Sequence, residues 1–265
     1  MRRYWLDKDT LSGDVIEIEG EAFHHIFGVC RQEVGHHFEV LGKDSKALLV
    51  EVIEVSKKRA RAKVIEERLV PPLPRPHLVL ALSVCRFPVM EAVVEKAVEL
   101  GVTRIQPFFS EFSFVRKQNS LPESKIERWN KIVVSATQQC GRGDLMTISE
   151  AIDFQDLGKA FNQVPHKLGL FAYEGASTFS IKDYVQSLKA QGNNSETAAL
   201  LQDGEIWVFV GSEGGFSPTE VQQFKEWDLE TVSLGAQVLR VETACITLLA
   251  VLKYEFGLMQ SPTRG

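Results

Sequence analysis

Hydrophobic and polar residues alternate in short segments over the first seventy residues. In residues 14–19, apolar side chains alternate with acidic ones, which predicts a strand with one buried face. Similar segments predict strands at 37–41, 47–55 and 60–69, with one short helix at 21–27. Several short strands of this kind are typical of a small β-barrel or a twisted sheet.

This pattern ends at Val70–Pro76, where prolines occupy four of six consecutive positions. Proline fixes its own backbone dihedral and lacks an amide donor, so the segment is predicted to be a stiff, extended connector. We therefore predict a domain boundary here, with one domain at residues 1–71 and a second at residues 72–265.

After the connector, apolar runs alternate with amphipathic stretches. The run His77–Leu82 is apolar after its first residue, as expected of a strand buried on both faces. Further strands are predicted at 103–108, 168–173, 206–210 and 231–234, and helices at 89–100, 123–140, 180–190 and 242–256. This order predicts an α/β domain built on a mainly parallel sheet.

The composition is that of a globular protein, since 44% of the residues are hydrophobic and 25% are charged. It excludes a chain that is largely disordered, collagen-like or a coiled coil. No stretch approaches the roughly 18 uncharged apolar residues that a membrane-spanning helix needs. Met1–Asp7 is too charged to lead into the apolar core of a signal peptide, so we expect no membrane association.

Cysteine and histidine do not indicate a metal site. The absence of a C-x-x-C pair disfavours zinc and a disulfide framework, and favours the reducing cytoplasm; the cysteines are Cys30, Cys85, Cys140 and Cys245. The pairs His24–His25 and His36–His37 resemble metal ligands, but neighbouring residues of a strand point to opposite faces. We therefore predict no metal.

The net charge of −5 argues against a protein that coats nucleic acid, but the charge is unevenly distributed. Residues 1–75 are balanced in charge, and Lys57–Lys63 places five cations among seven residues. Such a cluster can neutralise phosphates. A strand edge kept soluble by lysines is an equally good interpretation.

A glycine-rich loop follows the predicted strand at 206–210. It comprises Gly211–Phe216 and leads into Ser217, Pro218 and Glu220, which together predict a capped helix start. A buried strand, a tight turn and a helix start can bring backbone amides close to a ligand. The spacing matches neither the dinucleotide fingerprint nor the nucleoside triphosphate loop, so a structural turn remains an alternative.

A second segment, Leu234–Ala244, joins the last strand to the last helix. It carries Arg240 and Glu242, two residues apart, beside a predicted helix N-terminus. By spacing alone this pair is a surface ion pair of little energetic value.

Together these motifs resemble the RsmE family of ribosomal RNA methyltransferases, which belongs to the SPOUT superfamily. The family's G-P-E-G-G-[LF]-[ST] loop matches Gly211–Ser217, and its L-G-x-x-[IV]-L-R-x-E-T-A segment matches Leu234–Ala244. Its [EQ]-K-x-x-E-L-G-[VI] helix end matches Glu95–Val102, and its Q-C-G-R motif matches Gln139–Arg142. In the first domain, H-x-x-x-V-[LC]-R-x-x-x-G matches residues 25–35.

The sequence departs from the family pattern at several of these positions. Ser212 replaces a proline, Ala-Gln at 236–237 replaces a common Pro-Arg, and Phe112 stands where an arginine is usual. Two cations are thereby lost near the expected RNA face. Arg86 or Arg116 could replace them.

The resemblance implies transfer of a methyl group from S-adenosylmethionine to nitrogen-3 of a uridine in small-subunit (16S) ribosomal RNA. It implies a second domain with a deep trefoil knot, preceded by a PUA-like barrel. It gives catalytic roles to Arg240 and Glu242, and leaves the proton acceptor open. The residues that it implies for the cofactor are Phe171, Ala172, Tyr173, Gly211, Glu213, Gly214, Gly215, Leu234, Gly235, Leu239, Thr243 and Ala244.

Partners follow from the same resemblance. The residues expected to contact RNA are cations, namely Arg2, Arg3, Arg31, Lys57, Lys58, Arg59 and Arg142. A homodimer is expected because the last helix is apolar beyond one stripe and needs cover on more than one side. Two alternatives stay open: a SPOUT enzyme acting on another RNA such as transfer RNA, and a non-catalytic RNA-binding or ribosome assembly factor.

Overall fold

The computed structural model of the chain describes residues 1–6, 13–43, 45–175, 179–190 and 195–259. Its internal contacts divide the chain into two compact units. The first comprises Met1–Leu73 and Val133–Leu145, and the second comprises Pro74–Ile132 and Met146–Gly265. The sequence pattern did not indicate that Val133–Leu145 groups with the first unit.

The first unit contains a five-stranded sheet in the order β1-β3-β4-β5-β2. β1 and β3 are parallel, and the other pairs are antiparallel. The alternating segments form strands as predicted, and their apolar faces enclose a core that includes Ile18, Phe38 and Val50. The strands are β1 (Arg3–Trp5), β2 (Val15–Glu19), β3 (His37–Leu41), β4 (Lys46–Val55) and β5 (Arg59–Leu69).

A helical segment follows β2. It begins as α1 (Gly20–Phe23) and continues as a π-helix over His24–Val29. The predicted helix at 21–27 is therefore present, but the strand geometry assumed for His24 and His25 is wrong. Within the described parts of the chain, no group of three or more histidine, cysteine or acidic side chains is placed to hold a metal ion.

The second unit is an α/β structure on an eight-stranded sheet, and all its strand pairs are parallel. This confirms the predicted α/β domain with a mainly parallel sheet. The main path runs β11-β13-β10-β12-β6-β7-β8, with β9 beside β7. The strands are β6 (His77–Ser83), β7 (Val102–Phe109), β8 (Thr147–Ile148), β9 (Ile152–Asp153), β10 (Lys167–Ala172), β11 (Phe179–Ser180), β12 (Glu205–Val210) and β13 (Glu230–Ser233).

Seven helices begin in the described part of the second unit. They are α2 (Phe87–Glu99), α3 (Glu123–Cys140), α4 (Phe154–Asn162), α5 (Ile181–Ala190), α6 (Ser195–Asp203), α7 (Pro218–Glu226) and α8 (Val241–Glu255). The sequence pattern did not predict α4 and α6, and residues 191–194 between α5 and α6 lie outside the described residues. No described helix is long and apolar enough to cross a membrane.

Candidate active site

A cavity of about 580 Å³ lies in the second unit, where three adjacent parallel strands end. Ala172 closes β10, while residues 211–215 follow β12 and residues 234–240 follow β13. Ligands of open parallel sheets bind in the crevice beyond the carboxyl ends of the strands. The two loops that the sequence singled out therefore line one cavity.

The loop after β12 turns so tightly that its geometry requires glycine at two positions, Gly211 and Gly215. A Cβ atom on Gly211 would lie 2.8 Å from the carbonyl carbon and oxygen of Gly215. Gly215 itself has φ +66°, a conformation that disfavours other residues. Its amide donates to the carbonyl of Ser212 at 2.9 Å. These two glycines line the cavity, whereas Gly214 does not.

The helix after this loop begins as predicted. The Ser217 hydroxyl accepts from the amide of Glu220, and the Glu220 carboxylate accepts from the amide of Ser217 at 2.9 Å. Glu220 is buried, and its other oxygen accepts from the amide of Glu111 at 2.8 Å. One carboxylate thus holds the glycine loop and the segment after β7 in fixed register.

The loop after β13 leads into α8 and carries the predicted polar pair. Leu234, Gly235 and Leu239 line the cavity. Arg240 is the N-cap residue of α8, and Arg240 and Glu242 both line the same cavity. Within the described ranges the structure records no ion pair between them, so the surface ion pair expected from spacing alone is not formed.

The end of β10 forms the third side. Ala172 and Tyr173 line the cavity as expected, but Phe171 does not. Phe171 is fully buried, and its ring stacks on Phe224 with centroids 4.6 Å apart. In the last helix, Ala244 lines the cavity, whereas Thr243 is exposed and is not part of the lining.

Two charged lining residues, Glu174 and Arg86, were assigned neither to the cofactor nor to catalysis from the sequence. Glu174 follows β10, and its carboxylate lies 3.0 Å from the position that a Cβ on Gly215 would take. Arg86 precedes α2, and its Nε lies 3.3 Å from the Glu213 carboxylate. Glu174 could have been predicted to line the site in the same way as Gly211, because both residues follow a buried parallel strand.

Charged groups in the cavity are predominantly acidic. Its lining includes the carboxylates of Glu174, Glu213 and Glu242, against the guanidinium groups of Arg86 and Arg240. Apolar surface comes from branched side chains, among them Val210, Val232, Leu234 and Leu239. The arrangement suits a ligand with a flat apolar part and a cationic centre.

Buried thiols behind this lining are not nucleophiles. Burial, with a smaller contribution from the Glu213 carboxylate, raises the pKa of the Cys85 thiol to about 12. Burial also raises the pKa of Cys245. Since only the thiolate is reactive, both side chains stay protonated and inert near neutral pH.

Four predicted RNA-binding cations of the first unit, Arg31, Lys57, Lys58 and Arg59, are exposed, and Arg2 is exposed as well. Lys57 and Lys58 lie in the turn between β4 and β5, and Arg59 is the first residue of β5. The Ser56 hydroxyl closes this turn by donating to the carbonyl of Arg59. Arg31 has φ +53°.

The other three predicted RNA-binding arginines already have protein partners. Arg2 donates to the carbonyl of Cys30 at 3.0 Å, and Arg3 pairs with Glu39 at 2.7 Å. Burial raises the pKa of the Glu39 carboxyl, but hydrogen bonds from Arg68 and Arg3 outweigh it and hold that pKa below its usual range.

Arg142 differs from the sequence expectation. It is buried, with its side chain 6% exposed, and its guanidinium donates to both oxygens of Asp144 at 3.2 and 2.8 Å. This guanidinium therefore already has a protein partner, and the RNA contact expected of Arg142 stays a prediction.

The chain is similar in sequence to one protein family and to several individual proteins. The sequence pattern of the RNA methyltransferase domain matches residues 71–253. A ribosomal RNA small subunit methyltransferase E of Helicobacter pylori is 29% identical over 238 residues, covering 89% of this chain and 93% of that protein. A protein of the same name from Aquifex aeolicus is 30% identical over 235 residues, covering 88% and 91%.

Among solved structures, a ribosomal RNA small subunit methyltransferase E from Neisseria gonorrhoeae bound to S-adenosyl methionine is similar over almost its full length. The TM-score is 0.77 at 25% sequence identity, covering 96% of this chain and 97% of that chain. The similarity therefore extends over both units.

Proposed function

Since this chain belongs to the RNA methyltransferase family, as a relative of the ribosomal RNA small subunit methyltransferases E, we propose that it methylates nitrogen-3 of a uridine in small-subunit (16S) ribosomal RNA. The methyl donor is S-adenosylmethionine. The observation that carries this proposal is the single cavity lined by the loops after β10, β12 and β13.

The cavity lining fits S-adenosylmethionine chemically. Val232, Leu234 and Leu239 offer apolar surface for an adenine ring. The carboxylates of Glu174 and Glu213 suit the ammonium and sulfonium charges of the ligand. When bound, this cofactor supplies an electrophilic methyl group.

Methylation at nitrogen-3 forms a nitrogen–carbon bond, breaks the sulfur–methyl bond and releases the imide proton of uridine. Negative charge develops on the two carbonyl oxygens beside that nitrogen as the proton leaves. The Arg240 guanidinium stabilises this charge in our proposal, and such preorganised stabilisation is a large catalytic contribution. Glu242, in the first turn of α8, is the carboxylate that we propose to accept the proton.

The experiment that tests the reaction compares substrates. The protein is incubated with labelled S-adenosylmethionine and either small ribosomal subunits, free small-subunit RNA or transfer RNA. Label incorporated into small-subunit RNA, free or assembled, supports the proposal. Incorporation into transfer RNA alone would support another RNA target, and no incorporation would favour a non-catalytic RNA-binding factor.

We further propose that the first domain, residues 1–71, is a PUA-like barrel that holds RNA. The exposed cations at Arg31 and at Lys57–Arg59 support this RNA-binding role, because contacts with phosphates position an RNA without depending on its sequence. The second domain, residues 72–265, then holds the cofactor.

Replacing Lys57, Lys58 and Arg59 with alanine is expected to weaken RNA binding and to flatten its salt dependence. Each lost phosphate contact lowers the logarithmic salt slope by about 0.7 to 0.9, so three contacts lower it by about 2. Affinity for S-adenosylmethionine should stay unchanged. RNA binding titrated at several salt concentrations measures the slope, and a matched triple variant removes exposed lysines of the second unit: Lys159, Lys182 and Lys225.

An unchanged slope in the first variant, or an equal loss in the matched variant, would contradict a specific RNA role for the turn between β4 and β5.

We propose a deep trefoil knot for the second domain. The convergence of residues 211–215 and 234–240 on one cavity supports it, because a knot of this superfamily brings its cofactor loops together. Knotted chains are otherwise rare, so the proposal depends on family membership. A chain trace at high resolution that leaves residues 206–256 unthreaded would overturn the knot.

A homodimer is proposed because α8 keeps an apolar stripe at its surface. Ile246 and Tyr254 are exposed, and Ala250 between them is half-buried. These residues are four apart and share one face of the helix. Light scattering at micromolar concentration should give twice the chain mass, and Ile246→Glu with Tyr254→Glu should give the monomer mass. A monomer mass for the unaltered protein with cofactor bound would contradict the dimer.

The free cysteines favour a reducing compartment, and we propose that the protein works in the cytoplasm.

A further inference from the structure

Two phenylalanines are exposed beside the cavity, in the segment that follows β7. Phe112 is 41% exposed and Phe114 is 55% exposed. Large apolar side chains at a surface need no explanation singly, but two of them next to a ligand cavity indicate a binding surface. We refer to Phe112 and Phe114 as the aromatic edge.

The backbone under the aromatic edge is held rigidly. The buried hydroxyl of Ser83 hydrogen-bonds those of Ser110 and Ser113, at 2.6 and 2.8 Å. The amide of Phe114 donates to the carbonyl of Val84 at 2.7 Å. Because this backbone is already ordered, a ligand that covers the two rings does not have to order the segment that carries them.

The aromatic edge is also attached to the glycine loop. The Ser212 hydroxyl donates to the carbonyl of Phe112 at 2.6 Å, and Ser212 lines the cavity. A Cβ on Gly214 would lie 2.8 Å from the Cβ of Phe112, so Phe112 packs directly against the loop. Phe112 therefore borders the same loop that lines the cavity.

Cations lie at the cavity and in the residues that follow the aromatic edge. Arg86 has a side chain that is 67% exposed and lines the cavity, and Arg116 and Lys117 are exposed immediately after Phe114. Flat apolar rings interspersed with cations are what single-stranded nucleic acid binds, because bases stack on the rings and phosphates meet the cations.

We propose that Phe112 stacks on a base of the substrate RNA next to the target uridine, and that Ser212 is a positioning residue that fixes Phe112 on the glycine loop. This inference rests on the proposed function, since it assumes that RNA is the substrate. It assigns part of RNA recognition to the second unit, in addition to the cations of the first.

The test is steady-state methyl transfer to small-subunit RNA, with affinity for S-adenosylmethionine measured separately without RNA. Phe112→Ala should raise KM for RNA by about 5- to 100-fold, the range of base–aromatic stacking. Phe112→Trp should stay within about threefold of the unaltered protein because tryptophan also presents a π-face. Phe112→Leu should resemble the alanine variant, since leucine keeps apolar area without a ring.

Ser212→Ala tests the positioning role. It should raise KM for RNA by a smaller factor and add nothing in the Phe112→Ala background, because both changes act through one ring. Cofactor affinity should stay within about threefold in the Phe112 variants, because Phe112 does not line the cavity. Leu201→Ala, at an exposed apolar residue of α6, should leave KM unchanged.

Several results would overturn the inference. These are an unchanged KM in Phe112→Ala, an equal loss in Phe112→Trp, or a loss of cofactor affinity that accompanies every change in KM. A loss seen with assembled subunits but not with free RNA would assign Phe112 to a protein contact instead. If the unaltered protein methylates no RNA, both the proposed function and this inference are refuted. If it methylates RNA and the Phe112 variants do so with the same KM, only the inference is refuted.

Discussion

Gly211→Ala is expected to lower affinity for S-adenosylmethionine by about 5- to 150-fold, because overpacking a tight site costs about 1–3 kcal/mol. The added Cβ would lie 2.8 Å from the backbone of Gly215, and backbone cannot rotate away as a side chain can. The loop after β12 must open to admit it, and this loop lines the cavity. Isothermal titration with S-adenosylmethionine measures the loss.

The control for Gly211→Ala is the same substitution at Gly35 in the first unit. Gly35 has φ +87°, and a Cβ there would meet nothing within 4 Å. Gly35→Ala should therefore lower stability through backbone strain and leave cofactor affinity unchanged. If Gly211→Ala folds and binds S-adenosylmethionine normally, the loop after β12 does not hold the cofactor.

Arg240→Ala is expected to reduce kcat by about 100- to 1000-fold, the usual effect of removing a donor that stabilises a developing oxyanion. Affinity for S-adenosylmethionine and KM for RNA should change by less than about threefold, because the contact is made chiefly in the transition state. Single-turnover methyl transfer separates the chemical step from binding. Arg240→Lys should have a kcat between those of the unaltered protein and of Arg240→Ala, since lysine keeps the charge but not the planar guanidinium group.

Arg75→Ala provides the matched control for Arg240. Arg75 is an exposed arginine of the same unit, and its guanidinium lies 3.2 Å from the Asp203 carboxylate. An exposed ion pair of this kind contributes little, so turnover should be unaffected. If Arg240→Ala instead weakens RNA or cofactor binding as much as it slows turnover, Arg240 is a binding residue and the proposed catalytic role is wrong.

Local patterning predicted most of the regular structure of this protein. The strands β2 to β5 and the helix Glu123–Cys140 follow directly from alternating or periodic apolar residues. The missed strands have weak local signals: β1 has three residues, and β8, β9 and β11 have two each. Such short strands depend on their neighbours in the sheet rather than on their own sequence.

The site was predictable where it followed the ends of buried strands, and not where it depended on distant partners. The glycine loop and Leu234–Ala244 converge on one cavity as expected. The bond from Ser212 to Phe112 joins residues 100 positions apart, and no local pattern indicates it. Phe171 was assigned to the cofactor by motif, but its ring completes the aromatic core behind the cavity.

Arg142 shows the same limit for charged residues. A motif match predicted an RNA contact for Arg142, whereas the structure buries its side chain and pairs it with the nearby Asp144 carboxylate. A buried cation needs a compensating charge, which explains the pairing after the structure is known. Sequence spacing alone did not distinguish that arrangement from an exposed arginine.

The most direct test of the central claim is to identify the methylated nucleoside. Small subunits or free small-subunit RNA are treated with the protein and S-adenosylmethionine, digested to nucleosides and analysed by mass spectrometry, and the site is mapped by reverse transcription. Methylation at nitrogen-3 blocks the pairing edge of uridine, so the account predicts 3-methyluridine and a transcription stop at one position of 16S RNA. A methyl group on another base, on carbon-5 of uridine or on a ribose hydroxyl would contradict it.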